Sequence, residues 1–380
     1  MYVPVKGGEA AIAESHKALA RARRGDPAVP ELAVAQIREQ MRGAVDRVMT
    51  EGALYDRDLA ALALKQAEGD VAEAAFLLRA HRATLRRMGH CAPLDFSAIR
   101  PDRHISATVK ELPGGQILGA TRDYTHRLLD FSLMGEAIGA DDTPPTGRQS
   151  VMERDGASFP LLPPRGEGAG RRMRGAPEAK ACVPPPHPTL RATFSPAGRR
   201  EDVATACPAP AEGEEPVDIT RVPLRPPYGP SETLGHLVRG EEGFLTGLAY
   251  TRLRTAGAAH PYVEDLVAGE VEVLVELEDI GLTVSIGDIE VTACRMVAPV
   301  LDGPRPHLSP GFGVAFGRNE RKAVAMAAID QALKTGLDAE LVLAHADGVE
   351  AGGYVSHLKL PHYSDFQADL ETIRRLAGDD

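Results

Sequence analysis

The spacing of apolar positions predicts helices over most of the first ninety residues. From about residue 30 onward, apolar side chains recur three and four positions apart, as at Ile37, Met41, Val45 and Val48. This period places them on one face of a helix. The sequence Asp-Val-Ala-Glu at residues 70–73 has the form of a capping box that opens a further helix. We therefore predict a bundle or layer of helices in this part of the chain.

Alternation of apolar and polar residues with a period of two predicts strands in two places. Residues 270–297 alternate around a central Glu-Asp-Ile-Gly turn, which is typical of an antiparallel hairpin with one buried face. A shorter pair of strands is expected on either side of the Pro-Gly-Gly sequence at residues 113–115. Both hairpins would belong to an antiparallel sheet.

Shorter stretches predict four further groups of elements. Residues 121–134 are expected to form a helix, and residues 311–334 a strand followed by a helix that Asn319 caps. Residues 340–348 alternate in the manner of a strand. A last helix is expected to begin near Asp365.

The periodicity fails between residues 138 and 215, where arginine, alanine, glycine and proline predominate. Because this stretch has no apolar face to bury, we predict a long disordered insertion. Its composition is equally compatible with an authentic insertion and with a segment translated out of frame. The predicted organisation is therefore a mostly helical N-terminal domain with a short hairpin (1–137), the insertion (138–215) and a C-terminal domain of hairpin and helices (216–380). Helical runs with interspersed hairpins indicate the α+β class.

Composition and charge argue against several classes of protein. The net charge of −11, the absence of tryptophan and an aromatic content of 4% are unfavourable for a surface that binds nucleic acid. The four cysteines are far apart and include no Cys-x-x-Cys pair, so neither a disulfide framework nor a self-contained cysteine metal site is expected. With no apolar leader and no apolar run of about 18 residues, we expect a cytoplasmic protein without a membrane segment.

A histidine pair near the C-terminus is the first candidate for chemistry. His357 and His362 are five residues apart, a spacing that neither a helix nor a flat strand brings onto one face. Pro361 fixes its own φ and disfavours the helical region for Leu360, so a bend is expected between the histidines. On such a bend the two rings could bind one zinc ion, although two histidines do not complete a site. Two surface histidines in a polar tail are the alternative that the spacing leaves open.

Two further groups of residues could bind anions. Lys6, Gly7 and Gly8 precede a predicted helix, whose free amide groups and dipole favour a phosphate. Arg122 and Arg127 lie on the predicted helix that follows the short hairpin and could face an anion together. The simpler interpretation of residues 6–8 is a glycine turn, and that of the two arginines is a solvent-exposed helix face.

The sequence Leu-Ala-His-Ala-Asp-Gly carries the remaining candidates. His345 and Asp347 alternate to one side of a predicted strand that ends close to the histidine pair. A carboxylate and an imidazole at that position could supply a third metal ligand or a general base. We regard both as weak candidates for catalytic residues, because a two-residue pattern is common.

Six motifs that occur in one order carry a resemblance to a known family. They are MYVPVKGGEAAI, VDRVMTEGALYDRDLAALALKQAEGD, PGGQILGATRDYTHRLLDF, FGRNERKAVAMA, LAHADGVEA and GYVSHLKLPHYSDFQ. Over residues 1–135 and 216–380, the chain resembles the I subunit of the bacterial carbon-phosphorus lyase core complex. The likeness is weak in the predicted insertion.

The resemblance implies a specific reaction. The family's I subunit, with its G, H and L partners, displaces adenine from MgATP by an alkylphosphonate and gives α-D-ribose 1-alkylphosphonate 5-triphosphate. Alone, it is a purine nucleosidase in which water replaces the phosphonate. The J subunit then breaks the carbon-phosphorus bond, and the complex also includes a K subunit. The expected ligands are thus ATP with Mg²⁺ and an alkylphosphonate.

The resemblance also implies a role for two particular residues. The family's His-Leu-Lys-Leu-Pro-His motif matches His357 and His362, where it implies a Zn²⁺ site at the contact with the J subunit. It assigns no role to Asp347, Lys6 or Arg122, and the catalytic carboxylate stays unknown. The alternative hypothesis is a non-catalytic scaffold that completes the zinc site and binds the J subunit.

Overall fold

The computed structural model describes residues 8–112, 114–134, 217–255, 260–277, 281–301 and 305–378. These residues belong to two units, one made of residues 8–121 and 217–378 and the other containing residues 122–134. The insertion predicted at 138–215 lies outside the described residues, as do Lys6 and Gly7. The predicted domain boundaries therefore stay predictions.

Five helices form the N-terminal part of the larger unit. They are α1 (Gly8–Arg24), α2 (Val34–Gln40), α3 (Arg42–Gly52), α4 (Arg57–Gln66) and α5 (Val71–Thr84). The predicted cap at Asp70 is present, because its carboxylate accepts hydrogen bonds from the amides of Ala72 and Glu73 at 2.9 and 3.2 Å. Of the four apolar positions in the predicted stripe, Met41 alone is exposed. One helix ends there and the next begins, so the period is interrupted.

A four-stranded antiparallel sheet forms the centre of the larger unit. Its strands are β1 (Arg100–Ile105), β2 (Tyr262–Leu277), β3 (Leu282–Val300) and β4 (His307–Phe316), in that order across the sheet. The hairpin predicted for residues 270–297 is confirmed, with Val271 opposite Ile289 in the register of β2 and β3. The second strand predicted after the Pro-Gly-Gly sequence is reduced to a single bridge between His104 and Ile117.

Helix α8 (Glu320–Lys334) lies directly on β4. The predicted cap is confirmed, since the side chain of Asn319 accepts from the amide of Lys322 at 3.3 Å. Two strand glycines allow the close approach, and a Cβ added to Gly313 would lie 2.1 Å from the carbonyl oxygen of Ala323. The core between helix and sheet includes Met326 and other fully buried apolar side chains.

The remaining elements surround this core. They are α6 (Pro230–Arg239), α7 (Glu242–Thr255), α9 (Ala339–His345), α10 (Gly348–Ser356) and α11 (Tyr363–Ala377), with 3₁₀ turns at Phe96–Ala98 and His357–Lys359. The smaller unit contains a separate 3₁₀ turn at Phe131–Met134. Helices with an antiparallel sheet confirm the α+β class. Within the described ranges, none of the helices has the length and apolar character that crossing a membrane requires.

Two sequence-based assignments of secondary structure are wrong. Residues 339–345, expected as a strand, form α9, because Asp338 caps a helix there and the adjacent Val342 and Leu343 are both buried. A short apolar run does not distinguish a buried strand from a buried helix. Residues 122–127, expected as part of a helix, form a turn in which the carbonyl of Arg122 accepts from the amide of Thr125 at 3.0 Å.

A fully buried lysine connects the N-terminal helices to α8. The ammonium group of Lys322 donates to the carbonyl oxygen of Gly240 and lies 3.9 Å from Oε1 of Glu51. The same carboxylate oxygen accepts from Nε of Arg47 at 2.8 Å and from the amide of Glu242 at 3.0 Å. Burial lowers the pKa of Lys322 from 10.5 to about 8.

Candidate functional site

The histidine pair lies on a bend between two helices. Helix α10 ends at Ser356, His357 begins a 3₁₀ turn, and His362 is the residue before α11. Leu360 is extended, with φ −75° and ψ 154°. This is the conformation that Pro361 imposes on the residue before it. The sequence-based prediction of a bend is therefore confirmed.

This bend brings the two imidazole rings together. Their centroids are 5.1 Å apart and their planes meet at 71°. Both side chains are partly exposed. The rings are thus close enough to serve one small ligand at the surface of the unit.

Hydrogen bonds to the backbone hold each ring in one tautomer. Nδ1 of His357 is 2.7 Å from the carbonyl oxygen of Tyr354, and Nδ1 of His362 is 2.6 Å from that of Leu360. A carbonyl oxygen can only accept, so each Nδ1 carries a proton, and in the neutral imidazole Nε2 is then the nitrogen with a lone pair. Histidine ligands of metals are oriented in this way by a second hydrogen bond. The chemistry of the two donors therefore suits zinc coordination through Nε2 of the neutral rings.

The described ranges contain no group of three or more His, Cys, Asp or Glu side chains that could hold a metal ion. Neither His345 nor Asp347 joins the histidine pair as a third ligand. Tetrahedral zinc has four ligands. Within the described residues, the pair therefore supplies half of such a set.

Asp347 is occupied by structural contacts. It caps α10 by accepting from the amides of Val349 and Glu350 at 3.1 and 3.2 Å. Nη1 of Arg79 donates to both of its carboxylate oxygens at 2.7 and 2.6 Å, and Arg239 lies 3.5 Å away. Two guanidinium groups and two backbone amides thus surround this carboxylate. This arrangement links α5, α6 and α10, and it does not resemble a general base that awaits a substrate.

The other predicted residues that the structure describes lie in separate elements. Nδ1 of His345 donates to the carbonyl of Leu341 at 2.8 Å, at the exposed end of α9. Gly8 is the first residue of α1, with φ +53°. Arg122 and Arg127 are exposed in the smaller unit, where Arg127 lies 3.8 Å from Asp123. Their predicted role in binding an anion stays a prediction.

Sequence reasoning missed a cluster of ion pairs around Glu290. This side chain is 8% exposed, and Arg42, Arg57 and Arg318 all contact its carboxylate, the last through Nε at 3.1 Å. The cluster lines a polar cavity of about 380 Å³, but Arg318 is also paired with Asp102 at 2.6 Å. Because Arg57 and Glu290 are 233 positions apart, no local pattern could have identified them. These pairs fasten the N-terminal helices to the sheet.

Comparisons with known proteins place the chain in a family. The sequence model described as "Bacterial phosphonate metabolism protein (PhnI)" matches residues 1–379, a range that includes the predicted insertion. A protein of Rhizobium meliloti (strain 1021) is 44% identical over 99% of this chain and 95% of its own length. One of Escherichia coli (strain K12) is 45% identical over 99% of this chain and 98% of its own length. Both bear the name alpha-D-ribose 1-methylphosphonate 5-triphosphate synthase subunit PhnI. The chain therefore belongs to the PhnI family of bacterial phosphonate metabolism proteins.

Proposed function

We propose that this chain is a catalytic subunit of a cytoplasmic carbon-phosphorus lyase system. In that role it displaces adenine from MgATP with an alkylphosphonate and gives α-D-ribose 1-alkylphosphonate 5-triphosphate. Alone, it hydrolyses the same bond as a purine nucleosidase. The observation that carries the proposal is the family match over residues 1–379, together with the synthase-subunit name of two relatives about 45% identical. Subunits equivalent to G, H, J, K and L are the proposed partners.

The proposed reaction sets requirements on the site. Breaking the N-glycosidic bond develops positive charge on the ribose ring, so dipolar or negative groups are needed near the anomeric carbon. An acid is also needed to protonate the leaving base. The triphosphate requires cationic groups in addition to its Mg²⁺. Lys6, Arg122 and Arg127 are proposed for the triphosphate on the sequence alone. Asp347 is a poor candidate for the acid or base because Arg79 already binds both of its oxygens.

We further propose that His357 and His362 hold a zinc ion through their Nε2 atoms. The support is the convergence of the two rings and the orientation of each Nδ1 towards a carbonyl oxygen. A bound zinc ion would supply Lewis acidity and a structural link between chains. The missing ligands are proposed to come from the partner equivalent to the J subunit. The isolated chain should therefore bind zinc more weakly than the complex does.

Release of free base by the purified chain tests the catalytic proposal. Incubation with MgATP or MgGTP is expected to give adenine or guanine and ribose 5-triphosphate, which chromatography separates. Release of inorganic phosphate without free base would identify an ATPase instead. If the chain binds the nucleotide but releases neither free base nor phosphate, the result would favour the scaffold described below.

Histidine variants test the zinc proposal separately. His357→Ala and His362→Ala are expected to lower the zinc content of the assembled complex and abolish phosphonate breakdown, while base release by the single chain continues. His345→Ala is the matched control, because His345 also donates Nδ1 to a carbonyl but lies outside the pair. Full zinc occupancy in both variants would contradict ligation by these residues. Loss of base release would assign the metal to glycosyl transfer.

A non-catalytic scaffold is the second candidate function, and one observation favours it. Apolar side chains near the histidine pair are exposed, including Tyr354 at 74% and Phe366 at 62%. None of the side chains of α11 is buried. An exposed apolar surface of this kind is typical of a protein interface. The scaffold hypothesis predicts the same zinc result but no base release.

A further inference from the structure

A large cavity lies apart from the histidine pair, between α5, α6, β4 and α8. Its volume is about 840 Å³, which is within the range of sites for small organic ligands. Most of its wall is apolar, formed by residues that include Ile219, Tyr228, Leu234, Phe312 and Leu333. A cavity of this size and lining suits a ligand with an apolar or aromatic body.

Arg82, on the cavity wall, forms no direct ion pair with a described residue. Arg87 pairs with Asp218 at 2.6 Å, and Lys334 pairs with Asp330 at 2.7 Å. In contrast, Nε of Arg82 is buried and has no hydrogen-bond partner within the described ranges. Burial lowers the pKa of Arg82, and the charge of Asp218 offsets this only in part. A partly buried guanidinium that lacks a direct ion pair favours an anionic ligand.

Asp218, the carboxylate that acts on the charge of Arg82, already accepts hydrogen bonds from other groups. Asp218 acts electrostatically on Arg82, but its oxygens accept from Arg87 at 2.6 Å and from the hydroxyl and amide of Thr220 at 2.6 and 3.0 Å. The hydroxyl-bearing side chains of Ser231 and Thr233 line the same wall. The cavity thus combines an apolar surface, hydroxyl groups and a partly buried guanidinium that makes no direct ion pair with a described residue.

We infer that this cavity binds a purine nucleotide, with the base and ribose against the apolar wall and a phosphate at Arg82. The shape and the charge by themselves indicate an organic anion with an apolar body. The choice of a nucleotide rests on the proposed function. Arginine presents several donors in a planar fork, which matches the oxygens of a phosphate.

Calorimetric titration of the full chain with ATP, adenosine and inorganic triphosphate tests the inference. Arg82→Gln should weaken ATP binding about tenfold to hundredfold, because a charge-assisted hydrogen bond is lost, and should leave adenosine binding unchanged. Arg86→Gln is the matched control, since it removes the same charge from an exposed position outside the cavity wall. Thr233→Phe places a phenyl ring on the cavity wall and should abolish binding of both ATP and adenosine, since both are proposed to lie against that wall.

The outcomes separate this inference from the proposed function. Equal ATP affinity in the wild type and Arg82→Gln, or ATP binding that survives Thr233→Phe, would overturn the cavity as the nucleotide site. Inorganic triphosphate binding as tightly as ATP would overturn the role of the apolar wall. Base release with an unchanged KM in both variants would refute the cavity and retain the proposed function. ATP binding that depends on Arg82, without release of free base, would support the cavity as the nucleotide site and refute the proposed catalytic function.

Discussion

Replacement of the buried lysine on α8 should change how the stability of the protein depends on pH. The side chain of Lys322 is fully buried, and its pKa in the folded state is about 8 compared with 10.5 when exposed. Below pH 8 both states bind the proton, and the folded state bears the full cost of the buried charge. As the pH rises through 8, the folded state releases the proton and the unfolded state retains it. Stability therefore increases with pH up to about 10.5.

The size of this effect follows from the two pKa values. The difference between 10.5 and about 8 corresponds to about 3 kcal/mol over the complete titration, at about 1.36 kcal/mol per pKa unit. Between pH 7 and pH 9, the fraction of folded protein that has lost the proton integrates to about one unit. Lys322 should therefore add about 1 kcal/mol to the unfolding free energy over that interval.

Urea unfolding at pH 7, 8 and 9 measures this contribution. The wild type should gain about 1 kcal/mol relative to Lys322→Met across this range, because methionine keeps an apolar chain of similar length without the titrating group. Burial raises the pKa of Cys294 to about 12, but this thiol is present in both proteins and its effect cancels. Lys334→Met, on the exposed side of the same helix, should retain the wild-type rise. Parallel curves for the wild type and Lys322→Met would show that Lys322 stays charged to pH 9 and would refute the reasoning.

Three further predictions concern single residues of the larger unit. Gly313→Ala should lower the unfolding free energy by about 1–3 kcal/mol or more, because α8 and β4 must move apart to admit the methyl group. Gly247→Ala, on the exposed face of α7, should instead raise the unfolding free energy by up to about 1 kcal/mol. Thermal melting of both variants measures these changes. Asp347→Asn should lower the unfolding free energy measured in urea by about 2 kcal/mol. The rate of base release should stay unchanged. A large loss of that rate would restore Asp347 as a candidate catalytic residue. Iodoacetamide at pH 8 should modify the exposed Cys91 in the native protein and spare the buried Cys294, as peptide mass mapping would show.

Features set by neighbouring residues could be predicted from the sequence. The caps at Asp70 and Asn319 involve amides two or three positions away, and the bend at Pro361 follows from the geometry of proline itself. The long hairpin was predictable because its strands are adjacent in the chain and pair in antiparallel register. The single buried face expected for it is wrong for β3, where residues 282–288 are all exposed and residues 290–294 are all buried. Such interactions need no knowledge of distant parts of the molecule.

The errors occurred where tertiary packing chose between local alternatives. The apolar run at Val342 and Leu343 suits a strand or a helix, and burial against the core selected the helix. The stretch from Arg122 to Arg127 has helical spacing, but its side chains are exposed and the backbone forms a turn. With no apolar face to bury, a predicted helix has little to stabilise it.

The sequence by itself determined the α+β class, the principal caps, the long hairpin and the bend that carries His357 and His362. Only the tertiary structure decided which charges meet. Arg79 and Asp347 are 268 positions apart, and the wall of the larger cavity draws on five separate elements. Contacts of this kind depend on the packing of whole helices against the sheet, so no spacing rule along the chain encodes them. For the same reason, the pairing of Asp347 and the position of Arg82 on the cavity wall became visible only in the folded molecule.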